Sequence, residues 1–221
     1  MKKISLSALV LVIMTSYNQS FAQTEKGSSF SGPGLDMGYS YSSSKGSLYN
    51  TISQNVFIYT GFWTGHFVAD NLAIGPGFGV WYQLNKNTSG DYYRKSISLS
   101  IGLSPFIRYY FGNNQKTKLF IQVDGGISYG VSFDEYTLWD GIQYVIKQDQ
   151  SNNLSGHAGI AMGVAYFINQ VIGIESSLSY LYTYNQYSQN SDFDTKTNTH
   201  ALGIGIGLNY YFAKSKKEKS R

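Results

Sequence analysis

The stretch HALGIGIGLNYYF, His200 to Phe212, decides the fold. Leu202, Ile204, Ile206, Leu208, Tyr210 and Phe212 share one parity, and Ala201, Gly203, Gly205, Gly207 and Asn209 share the other. An extended chain sends successive side chains to opposite sides, so this segment has one bulky apolar face and one nearly bare face. A soluble sheet would set charges opposite its core face. Glycine stands there instead, which suits a narrow barrel with lipid outside and a cramped interior of small or polar side chains.

Seven more segments upstream read as strands. The first, near Leu35 to Ser42, turns Leu35, Met37, Tyr39 and Tyr41 outward and Asp36, Gly38 and Ser40 inward. The second, near Gln54 to Val68, has bulky residues on both parities and its faces stay unassigned. The third, Leu72 to Tyr82, sets Ile74, Phe78 and Val80 against Ala73, Gly75, Gly77 and Gly79. Lys95 to Phe111 opposes Leu99, Ile101, Leu103, Ile107 and Tyr109 to Ser98, Ser100, Ser104 and Arg108. Lys118 to Phe133 opposes Ile121, Val123 and Ile127 to Gln122, Asp124, Gly126 and Ser128. Asn153 to Phe167 carries His157, Gly159, Ala161 and Gly163 inward, and Val171 to Tyr184 carries Glu175, Ser177 and Ser179 inward. Pro76 and Pro105 fall within strands; each removes a ladder donor, so each marks a bulge or strand end near the membrane boundary.

The connections alternate in length. Ala69-Asp70-Asn71, Gly112 to Thr117 and Asn169-Gln170 are short. Ser43 to Ser53, Leu84 to Arg94, Asp134 to Asn152 and Tyr187 to Thr197 are longer and polar. An up-and-down barrel with short periplasmic turns and long external loops predicts that alternation. The fold class is therefore all-β: an eight-stranded antiparallel up-and-down transmembrane β-barrel. At this strand number side chains can fill the interior, which leaves no wide pore.

Composition agrees: 24 Gly, 20 Tyr and 13 Phe suit twisted strands with aromatic belts. Lys2 and Lys3, the apolar run Leu6 to Met14 and the small residues of Ser20-Phe21-Ala22 read as a signal peptide over 1–22, cleaved after Ala22. With 0 Cys, disulfides, thiol chemistry and a lipoprotein anchor are excluded. Residues 23–33 read as a flexible lead-in, 34–213 as the barrel and 214–221 as a basic periplasmic tail. The formal charge of +4 is a terminal effect, since Lys214 to Arg221 holds five cationic residues against Glu218. That tail reads as a solvated end, and nucleic acid is not an expected partner.

Two phrases carry a family resemblance. Gly65-His66-Phe67-Val68-Ala69-Asp70-Asn71-Leu72-Ala73-Ile74-Gly75 is a hairpin phrase, and Gly207-x-x-Tyr210-x-Phe212 closes the last strand. With them the chain, over about Gly34 to Phe212, resembles the outer membrane protein beta-barrel domain family, small barrels similar to the OmpA membrane domain and OmpX. In many members the final aromatic ends the chain, whereas nine residues follow Phe212 here. The resemblance implies a cell outer membrane location, contact with outer-membrane lipid and lipopolysaccharide, and a monomer. It also implies that Gly207, Tyr210 and Phe212 form the signal read by the barrel assembly machinery. It implies no single activity.

Inward parity gathers Asp36, Arg108, Asp124, His157 and Glu175. Buried charges need partners, so these residues read as a structural lumen network, with Arg108 paired to Asp124 on the adjacent strand. A proton or ion path is the sharper alternative. Ser155-Gly156-His157 offers a hydroxyl and an imidazole on one face, the spacing a lipid A-modifying enzyme could use, but without an acidic partner beside them. The tyrosines of Tyr180 to Tyr184 and of Tyr109-Tyr110-Phe111 read as interface belts. Nothing has metal-ligand spacing, and the Gly-x-Gly repeats lie inside strands, so neither a metal nor another cofactor is expected. The loop Asp134 to Asn152, with Tyr136, Trp139 and Tyr144, is the candidate surface for a ligand. The reading is a non-enzymatic membrane protein with a structural or surface-interaction role, narrow-channel transport being the alternative.

Overall fold

In the computed structural model, residues 24–45, 50–89, 92–139, 144–188 and 195–213 are described. Eight strands follow one another: β1 (Ser29–Lys45), β2 (Asn50–Ala69), β3 (Leu72–Ser89), β4 (Tyr92–Phe111), β5 (Thr117–Trp139), β6 (Tyr144–Phe167), β7 (Ile172–Ser188) and β8 (Thr195–Phe212). Each pairs antiparallel with the next, and β1 closes on β8, so the sheet is an up-and-down barrel with no edge along its body. The β2–β3, β4–β5 and β6–β7 turns lie at one end, with the start of β1 and the end of β8; this is the turn end, and the other is the ribbon end. The signal segment 1–22 and the tail 214–221 lie outside the described residues.

The wall is inverted relative to a soluble protein. Ile101, Ile127 and Ile204 are 64%, 65% and 68% exposed, while Arg108, Glu175, Ser104 and Asn209 are buried. Apolar exposure that continues round the whole barrel far exceeds the few hundred Å² a water-soluble monomer shows. Tyr109 and Phe111 stack outward with ring centroids 6.5 Å apart, and Tyr180, Tyr182 and Tyr184 also face out. Tyr110, expected in the belt, points inward and is 0% exposed, because its parity is that of Arg108.

Three expectations need correction. The lead-in 23–33 is not flexible throughout: β1 begins at Ser29, and Gly27 donates its N–H to the Phe67 carbonyl at 2.8 Å. The turn residue Asn71, with φ 64°, anchors the segment just before β1, since Thr24 Oγ1 donates to Asn71 Oδ1 at 2.7 Å. The long connections are mostly strand, with β5 continuing to Trp139 and β6 resuming at Tyr144. At 23 and 24 residues these two strands far exceed the ~9–11 residues that cross a bilayer.

The prolines mark neither bulges nor strand ends. Pro76 faces Pro105 across β3 and β4 with the register unbroken on both sides. The pairing lapses instead on their far sides: β2–β3 skips from Trp63↔Gly77 to His66↔Ile74, and β4–β5 from Leu103↔Ile127 to Phe106↔Asp124, with no net shift. Pro33 does the same on the β8 side of β1, between Ser31↔Tyr210 and Gly34↔Gly207. Each missing N–H opens a ladder locally, and the barrel tolerates the gap because the neighbouring pairs stay in register.

Candidate functional site

The lumen has two storeys. At the turn end, aromatic side chains from six strands fill the bore. Phe30, Phe67, Tyr110, Phe120, Phe167 and Tyr211 are each at most 2% exposed, with Phe106 beside them. Their rings meet at tilted and edge-on angles, as in Phe167–Tyr211 at 5.0 Å and Phe67–Tyr110 at 5.6 Å. That is the offset geometry aromatic quadrupoles favour. The plug explains why the faces of β2 resist reading from sequence: Phe57, Tyr59, Trp63 and Phe67 turn inward while Val56, Ile58, Phe62 and Val68 turn out.

One ion pair is buried in this plug. Arg108 Nη1 donates to Glu175 Oε2 at 2.6 Å and to Tyr110 Oη at 3.0 Å, and Arg108 Nε donates to Gln122 Oε1 at 2.9 Å. Glu175 Oε1 accepts from Tyr211 Oη at 2.9 Å and from Tyr110 Oη at 3.2 Å. The guanidinium also sits 4.4 Å over the Phe120 ring. Both charges thus leave water with several hydrogen bonds in place, the condition under which a buried pair is tolerated.

Arg108 is therefore not the partner of Asp124. The β4–β5 register sets Gln122 opposite Arg108 and Asp124 opposite Phe106, and the arginine reaches across the bore to β7. Asp124 accepts instead from Gln122 Nε2 at 3.2 Å. Asp36, Arg108, Asp124, His157 and Glu175 nevertheless converge: all five line one internal cavity of about 110 Å³ above the plug. Tyr59, Trp63 and Trp81 form much of its wall. None of the three was among the candidates, because a large aromatic on the inward parity of a strand looks the same as one in a belt.

Ser155 and His157 do not form a pair. Ser155 Oγ donates to Asn185 Oδ1 at 2.5 Å, while His157 Nε2 meets Ser104 Oγ at 2.7 Å. A second serine–histidine contact, Ser29 Oγ to His66 Nδ1 at 3.0 Å, lies at the turn end. Neither imidazole is hydrogen-bonded to a carboxylate among the described residues, and Ser104 is 1% exposed.

Ribbon-ward the lumen changes character. Ser98 and Ser132 share a hydrogen bond at 2.8 Å, and a second cavity of about 60 Å³ is lined by serines, asparagines and threonines, with Trp81 and His157 at the junction with the first. Among the described residues, four buried side-chain polar atoms lack a hydrogen-bond partner: Ser40 Oγ, Asn55 Oδ1, Tyr59 Oη and Asn153 Oδ1. None belongs to the plug.

The candidate ligand loop, Asp134 to Asn152, is a two-stranded ribbon, paired from Asp134↔Asp149 to Trp139↔Tyr144. The β6–β7 register starts only at Asn152↔Ser188, so among the described residues the segment 144–151 is paired on one side only. Ile146 is 65% exposed there, and Arg94 holds Asp134 at the ribbon's base with a 3.1 Å contact.

The fold and lumen define a class, the small eight-stranded barrel of the outer-membrane type. No family model matches the chain, and no curated protein matches it. The solved structure of the outer membrane protein OprG from Pseudomonas aeruginosa is similar, at 16% identity and a TM-score of 0.51, over 87% of this chain and 99% of that one. That likeness establishes the shared fold. Neisserial surface protein A is 18% identical over 84% of this chain and 99% of its own, with a TM-score of 0.36. A major outer membrane protein from Thermus thermophilus is 12% identical over 84% and 99%, with a TM-score of 0.41. At the turn end of β8, Tyr210 and Phe212 face outward, and Gly207 lies between Gly34 and Glu175 in the sheet.

Proposed function

We propose that the chain is an exported, integral outer-membrane protein that is non-enzymatic and acts as a structural or surface-interaction element rather than as a channel. The continuous apolar exterior supports the location, as does the fold shared with OprG. One observation carries the choice against transport: the bore is closed by rings at most 3% exposed, packed around the Arg108–Glu175 pair. A solute would have to unpack aromatic contacts and break a charge pair whose disruption costs ~3–5 kcal/mol. Against catalysis stands the geometry of the two serine–histidine contacts, in neither of which a carboxylate is hydrogen-bonded to the imidazole among the described residues.

The interaction surface in this reading is the β5–β6 ribbon. Its strand, exposed over 146–150, is paired on one side only among the described residues, with Lys147, Asp149 and glutamines that blunt self-association. Planar-bilayer recording of the refolded protein tests the proposal. The expected result is no discrete conductance steps, with steps emerging when Arg108 and Phe120 are both truncated to alanine. Steps from the unaltered protein would restore the channel reading, and fatty acid released from lipid A would restore the enzyme.

A further inference from the structure

We propose that the cavity above the plug is a binding site for a small primary ammonium ion, held by the carboxylates of Asp36 and Asp124 within a wall of Tyr59, Trp63 and Trp81. Three carboxylates and one guanidinium line the cavity, and Arg108 is taken by Glu175. Among the described residues, Asp36 and Asp124 have no cationic hydrogen-bond partner. Asp124 accepts one bond, from the neutral Gln122 amide. Two half-buried carboxylates that share the wall of one lumen cavity favour a further positive charge between them.

The site is built to hold these groups. Tyr59 is the cross-strand partner of both Asp36 and Trp81, which places carboxylate, phenol and indole side by side on β1, β2 and β3. Tyr59 packs on Trp81 at 4.6 Å and on Trp63 at 5.9 Å, giving adjoining ring surfaces. Small residues make the room. A Cβ at Gly205 would collide with the Asp36 carboxylate, and one at Gly159 would stand 2.9 Å from Asp124 Oδ2.

A second, separate observation points to a ligand. Tyr59 is only 5% exposed, lines the cavity, and its hydroxyl has no hydrogen-bond partner. A buried hydroxyl left so has given up its water contacts with nothing in exchange. An ammonium N–H supplies the donor that this oxygen and the carboxylates lack. The same cation gains from aromatic faces, an attraction that strengthens when water is excluded. No group of three or more His, Cys, Asp or Glu stands close enough to hold a metal ion among the described residues, so the wall favours an organic cation. The smaller polar cavity next to Trp81 and His157 leads ribbon-ward, while the plug closes the opposite side.

The test titrates refolded protein in detergent with propylammonium chloride and follows tryptophan emission. Trp139→Phe leaves Trp63 and Trp81 as the only reporters, since the chain has 3 Trp. We expect saturable binding of propylammonium, none of the neutral isostere 1-propanol, and none of calcium chloride over the same range. Asp36→Asn with Asp124→Asn should weaken propylammonium by about tenfold or more, the minimum expected when a desolvated charge partner is removed. Heat-modifiable gel migration verifies that the variant is folded; the comparison of propylammonium with 1-propanol needs no carboxylate variant. An equal response to 1-propanol, a saturable response to calcium alone, unchanged affinity in the double asparagine variant, or no response to propylammonium would each overturn the assignment.

Discussion

Along β4 the inward side chains change character at one position. From Ser104 toward the ribbon end they are Gly102, Ser100 and Ser98; toward the turns they are Phe106, Arg108 and Tyr110. The turn-end half is packed, and its ion pair is held by Gln122, Tyr110 and Tyr211 as well as by its own contact. The larger cavity rests on this floor, with Arg108, Phe120 and Glu175 in its wall, and the ribbon-end half holds the smaller cavity and every unpartnered buried atom among the described residues. The same eight strands thus make a sealed floor and an unsealed well. Tight packing and full hydrogen bonding belong to the part that keeps the barrel shut. Polar groups without protein partners belong to the part that can receive something else.

The largest effect should come from breaking the floor. Arg108→Met leaves Glu175 buried without its cation and should cost ~3–5 kcal/mol in urea unfolding from lipid vesicles. Replacing both, Arg108→Met with Glu175→Leu, should recover most of that loss; a double variant as weak as the single would show that the pair itself stabilises the plug. Next comes the wall. Ile204→Arg should cost ~2–4 kcal/mol at the bilayer midplane, whereas Ile146→Arg on the ribbon should lie near zero in the same assay. Equal costs would place both residues in one environment. A smaller effect is expected in the well, where Ser98→Ala removes the bond to Ser132 at a cost of about 1 kcal/mol. Smallest of all, Asn153→Leu replaces a group whose oxygen has no partner, and it should be neutral or slightly stabilising. A large loss there would mean that the well is as tightly built as the floor, and the contrast would fail.

The outward faces were legible because lipid demands an apolar residue at nearly every outward position, which writes a period of two into β4, β5 and β8. The inward faces follow no such rule. On β2, Tyr59 and Trp63 fill the bore with the same residue types that Phe62 and Val68 present to lipid, so the alternation disappears. Beyond the bilayer the lipid constraint ends, and the ribbon of β5 and β6 has the composition of a loop although it is hydrogen-bonded strand. The inward parity of Asp36, Arg108, Asp124, His157 and Glu175 could be read residue by residue. The partner of Arg108 could not, because it depends on register and on a side chain crossing the bore from β4 to β7. Tyr110, Phe120 and Tyr211 carried a usable signal, their parity with Arg108, Gln122 and Asn209, and it identifies the plug once the strand faces are assigned.

The central claim is that hydrocarbon covers the bulky side of the strands. The chain has 0 Cys, so a single cysteine at Ile204 or at Ile146 can carry a spin label without competing sites. Power-saturation electron paramagnetic resonance in lipid vesicles then reports which relaxing agent reaches each label. The account predicts that the label at 204 is reached by oxygen and shielded from a water-soluble nickel chelate, with the reverse at 146. A label at 204 that the chelate reaches freely, or that neither agent reaches because protein encloses it, would contradict the account.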